Sequence, residues 1–153
     1  MLAWLRAAAT NVTRAYGRFP SPSPQVVVVP VTASATDAGE PVPFGHVIRD
    51  GGEAVEFFVN QRRLLAEFTA DWSATHIFSH LLAPHIAGNE KWIAEGLASY
   101  YQNGLMARGG YFRPRDAWRK LLEGFARGRL SVPSLTLEDA MPVGHWDGIM
   151  KTY

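Results

Sequence analysis

The sequence predicts an α+β fold, with a small β-sheet ahead of a helical region. Three observations carry that expectation. β-Branched and aromatic runs bounded by proline and glycine are confined to residues 25–59. From Gln61 onward the apolar residues recur mostly at helical spacing. The two regimes follow one another without regular strand–helix alternation, which separates α+β from a doubly wound sheet. No internal repeat or low-complexity tract interrupts the chain of 153 residues, and it reads as one domain.

Taken in order, residues 2–16 predict a helix, with Leu2, Leu5, Ala8, Ala9, Val12 and Tyr16 near one face and Gly17 as its stop. Pro20, Pro22 and Pro24 force an extended connection. Gln25–Val29, with four consecutive valines, predicts a buried strand. A loop over 32–43 follows, with a turn at Asp37-Ala38-Gly39. Phe44–Arg49 and Ala54–Val59 predict two further strands, joined as a hairpin by the Asp50-Gly51-Gly52 turn. Arg62–Phe68 predicts a short helix. Thr69 or Asp71 then caps a helix carrying Trp72, His76, Phe78, His80 and Leu81 and ending before Pro84. Lys91–Ala107 predicts a long helix ending at Gly109-Gly110, with Arg108 in its last turn, where the helix dipole favours a cation. Pro114 opens a helix to about Arg127, with Trp118, Leu121, Leu122 and Phe125 at helical spacing. Leu137-Glu138-Asp139-Ala140 predicts one helical turn, and 145–153 the start of another helix.

Composition bounds the function. Hydrophobic residues make up 47% of the chain, enough for a real core. A net charge of +1 without a basic patch argues against a dedicated nucleic-acid binder. Without cysteine, neither a disulfide framework nor a thiolate metal site is available. No apolar run approaches the ~20 residues that span a bilayer. Arg6 interrupts the apolar N-terminal stretch and no basic region precedes it, so no signal peptide is expected and the compartment stays open.

The chemistry concentrates in Thr75-His76-Ile77-Phe78-Ser79-His80 and in Trp92-Ile93-Ala94-Glu95-Gly96. Histidines four apart on a helix share a face, with Cβ atoms roughly 5–6 Å apart, which suits one metal ion. Alone, such a pair also fits two histidines hydrogen-bonded within a helical core. Glu95, in the first turns of the next helix, offers a carboxylate, and equally suits a helix N-terminus without any metal.

His-x-x-x-His followed by Trp-x-x-Glu-Gly resembles the gluzincin zinc metallopeptidases, closest to the aminopeptidase-like M1 and M61 families. Asp71-Trp72, Ser79-His80-Leu81-Leu82-Ala83-Pro84 and Gly96-Leu97-Ala98-Ser99-Tyr100-Tyr101 extend the likeness over about 69–110. The resemblance implies a thermolysin-type peptidase MA-like domain, with Zn²⁺ held by His76, His80 and Glu95 and a peptide or protein as ligand. It also implies further helices beyond Tyr153, so the chain is expected to fall short of the family's full length.

Two departures matter. In the family the residue after the first histidine is the glutamate that moves the catalytic proton; here it is Ile77, which neither accepts nor donates one. Neither Glu67 nor Glu90 is placed to substitute. Four residues after the ligand glutamate, the thermolysin branch has an aspartate that orients a ligand histidine; here it is Ser99. A downstream tyrosine stabilises the oxyanion in related peptidases, and Tyr153 is the candidate for that role. His145 is read as a surface or loop residue, and His46 and His85 receive no role. The expectation is a zinc-binding domain with hydrolysis reduced or lost. The alternatives are a pseudoenzyme that binds peptide or protein, and a metal-free helical domain. Substrate and oligomeric state are not legible.

Overall fold

The computed structural model describes residues 1–32, 39–86 and 90–131, together with 134, 136 and 139. The turn expected at 37–39 falls largely outside these residues, as do most of the turn at 137–140 and all of 145–153. The fold is α+β, and it divides into two compact units, residues 1–82 and 83–153. Among the described residues no helix is long and apolar enough to cross a membrane.

In the first unit, helix α1 spans Leu2–Tyr16 and stops at Gly17, whose φ of 75° is the left-handed conformation that glycine adopts without strain. Its buried face is rotated from the expected one but keeps Ala8 and Val12. Trp4, Ala8, Asn11 and Val12 point inward, while Leu2 is exposed. The indole has the largest apolar area to hide, so it sets the rotation of the helix. Its ring packs 5.3 Å from both Phe57 and Phe68.

Among the described residues the sheet has three strands: β1 (Gln25–Val31), β2 (Phe44–Ile48) and β3 (Ala54–Asn60), in the order β1-β3-β2. β2 and β3 form the expected antiparallel hairpin, from Phe44 opposite Phe58 to Ile48 opposite Ala54. Gly51 and Gly52, with φ of 77° and 153°, make the reversal possible. β1 lies parallel to β3 and runs past the expected end at Val29, through Pro30 to Val31. As an edge strand β1 tolerates a residue without an N–H. On the central strand, Val55, Phe57 and Val59 alternate onto the buried face.

Helix α2 is Leu65–Ala70, later than Arg62–Phe68. Its start is set by Glu67, whose carboxylate accepts the Leu64 N–H at 2.7 Å and a guanidinium N–H of Arg63 at 3.1 Å. Asp71 then accepts the Ser73 N–H at 2.8 Å and opens α3, Ser73–Ser79. All seven residues of α3 are buried. Phe78 sits edge-on to Phe57 at 5.5 Å and to Phe19 at 5.4 Å. His80 and Leu81 do not continue the α-helix as expected; His80–Leu82 is a 3₁₀ turn. The His80 N–H reaches the Ile77 carbonyl, which tightens the last turn as the chain approaches Pro84.

In the second unit, α4 spans Lys91–Arg108 and α5 spans Pro114–Ser131, and the two helices pack together. α4 ends in a Schellman arrangement, with Gly110 at φ 83° and the Tyr111 N–H bonded to the Met106 carbonyl at 3.1 Å. The apolar stripe expected on α5 is largely exposed, at 60% for Trp118, 65% for Leu122 and 58% for Phe125, whereas Ala117 is buried.

Two predictions follow from the packing of the first unit. A Cβ on Gly45 would lie 3.1 Å from the Phe57 ring, 3.2 Å from the Glu56 carbonyl oxygen and 3.2 Å from Ile77 Cγ1. Gly45→Ala is therefore expected to cost about 1–3 kcal/mol in urea unfolding. Burial raises the Asp71 pKa above its ordinary 3.8, against the lowering effect of the Ser73 hydroxyl and backbone N–H. The folded state thus prefers the protonated acid. Its stabilising contribution is complete below 3.8 and is lost as pH rises through the folded-state value. Asp71→Asn keeps the acceptor and removes the charge. It is expected to raise the thermal midpoint at pH 7, with its advantage shrinking toward acid pH; an advantage unchanged across that range overturns the assignment.

Candidate metal centre

Three side chains named from the sequence come together. His76, His80 and Glu95 each offer one ligand atom, and these atoms all lie within 4.8 Å of one another. His76 is in the middle of α3 with no solvent exposure. Its ring is edge-on to Trp72 at 5.4 Å and to His80 at 4.9 Å. His80 is half-buried in the 3₁₀ turn, so the pair stands at the boundary between two helical geometries. Glu95 is half-buried on α4.

Two imidazoles and a carboxylate are a borderline donor set suited to zinc. Two donors each ~2.1 Å from one ion stand no more than ~4.2 Å apart. The 4.8 Å limit on the group is close to that span. The residues present fit a divalent cation, and the donors alone leave its identity open.

Ile77 is committed elsewhere. It is 7% exposed, and its Cγ1 fills the space left by the missing side chain of Gly45 on β2. Glu67 is occupied in capping α2, as described above. Glu90 is exposed at the start of α4. Ser99 is buried in α4, and its carbonyl accepts the Asn103 side-chain amide at 2.9 Å. His46 faces Glu56 at 3.6 Å across the hairpin, and His85 is exposed. Tyr153 and His145 lie outside the described residues.

Sequence reasoning missed one contact at this site. Arg49, just past β2, donates from Nη2 to the His80 carbonyl at 2.8 Å. Its turn was noted from Gly51-Gly52, but no local pattern joins residues 31 apart. No protein-family model, curated protein or solved structure shows detectable similarity to this chain. The metallopeptidase likeness therefore stands on the local motifs.

The burial difference between the two histidines gives a prediction. With a chelator present, His76→Ala is expected to cost about 2–4 kcal/mol in chemical denaturation, because a wholly buried ring leaves a cavity. His80→Ala is expected to cost about 1 kcal/mol or less. Equal costs would contradict this placement of the two rings.

Proposed function

We propose that the protein is a zinc-binding domain of gluzincin metallopeptidase type in which peptide hydrolysis is severely reduced or lost. The observation that carries the reading is the approach of His76, His80 and Glu95 ligand atoms to within 4.8 Å of one another. The local motifs around these residues and the N,N,O donor set support it further.

Zinc, when bound, supplies Lewis acidity toward water and carbonyl oxygen. His76, His80 and Glu95 are the residues that would hold it. Position 77 then decides the chemistry. An isoleucine cannot take a proton from water or deliver one to a leaving amine. General acid–base catalysis of that kind is typically worth ~10²–10⁴-fold. Retention of the ligands without the base favours a second reading, in which binding of a peptide or protein is the surviving activity.

Metal analysis of gently purified protein tests the ligand set. About one equivalent of zinc is expected, falling below about a tenth in the His76→Ala/His80→Ala/Glu95→Ala variant. A parent containing no more zinc than that variant overturns the proposal. Peptide hydrolysis by Ile77→Glu tests the second claim: activity appearing in that variant supports loss of the base as the lesion. Continued silence, with zinc bound and the fold intact, favours the binding reading.

A further inference from the structure

We infer that Arg49 is a positioning residue for His80 and sets the metal affinity of the site through the backbone of the last turn of α3. The inference rests on the metal reading above. His80 is the less secure of the two histidines. His76 lies mid-helix among buried neighbours, but His80 follows the last α-helical residue and begins a 3₁₀ turn of three residues. Such turns have poorer hydrogen-bond geometry than an α-helix, and the last carbonyls of a helix have no partner within it.

Arg49 supplies that partner. Its Nη2 donates to the His80 carbonyl at 2.8 Å, and its Nη1 lies 3.6 Å from Glu53 Oε1 within the same hairpin loop. The Arg49 side chain is partly buried, at 22% exposure. A cationic donor at a helix C-terminus meets the negative end of the dipole, and a charge-assisted bond is roughly twice as strong as a neutral one. The His80 backbone is thus held on both sides: the N–H by the Ile77 carbonyl and the C=O by Arg49. With the Cα fixed, only χ1 and χ2 remain to place the ring.

The sign of the effect distinguishes positioning from electrostatics. A guanidinium near a cation site repels the cation, so removing its charge would by itself tighten metal binding. Loss of positioning weakens it. The two outcomes have opposite direction, and a general loss of stability would leave the affinity of the folded protein unchanged.

The test uses the full chain as parent, Arg49→Met, Arg49→Lys and His80→Ala. Zn(II) affinity is read by competition with a chromophoric chelator. Amide hydrogen exchange at His80–Leu82 is read in the metal-free proteins. Arg49→Met is expected to bind Zn(II) about tenfold more weakly, in the range for outer partners of metal ligands, and to exchange faster at these amides. Arg49→Lys, which keeps the charge and one donor, is expected to recover most of the affinity, remaining about threefold weaker than the parent. Binding by Arg49→Met as tight as the parent's or tighter, while His80→Ala loses the metal, overturns this inference and leaves the metal reading standing. A parent that takes up no Zn(II) overturns both. Should Arg49→Met fail to fold, Arg49→Lys decides: threefold weaker binding supports the inference, and parental affinity overturns it.

Discussion

Burial of the whole of α3 is the constraint on which the first unit depends. Seven residues are too few for a helix to persist alone in water, because nucleation costs more than so few hydrogen bonds return. The segment is helical because tertiary contacts enclose it. Phe78 lodges between Phe57 of the central strand and Phe19 of the connection after α1. Asp71 satisfies the N–H of Ser73 at the start, and Arg49 the carbonyl of His80 at the end. His76, in the middle of that helix, is held by the same contacts.

The same enclosure gives His76 and Ile77 different surroundings. Successive helical residues are about 100° apart, so the two side chains leave the helix in different directions. His76 turns toward Trp72 and His80. Ile77 turns toward β2, where Gly45 leaves room for it. An apolar side chain suits that place, and a carboxylate there would lose hydration without a charged partner being supplied. The glycine and the isoleucine form one packing unit, and the residue at position 77 is part of the core.

Much of the fold was legible locally. Gly51-Gly52 between two apolar runs announced the hairpin, because few residues other than glycine adopt those positive φ angles. Gly110 announced the end of α4 for the same reason, and Pro114 the start of α5. The failures share a different cause. The face of α1 is only partly legible, because small alanines on several sides blur the periodicity, and its rotation depends on the contacts of Trp4 with Phe57 and Phe68. The sequence predicts an end of β1 at Val29 because a proline normally ends a strand, and only the sheet order reveals an edge where Pro30 is harmless. The 3₁₀ turn at His80 is not legible, because spacing alone does not distinguish the last turn of an α-helix from a 3₁₀ turn.

By itself the sequence determined the chemical inventory: two imidazoles four apart, a carboxylate on the next helix, and no proton-transfer group beside the first histidine. These are properties of side-chain type and helical period, both local. The tertiary structure decided which distant groups meet. It set Arg49 on the His80 carbonyl and Gly45 against Ile77, and brought the three ligand atoms within 4.8 Å of one another. Such pairings depend on strand register, helix rotation and side-chain packing, which emerge only when buried surfaces are fitted together.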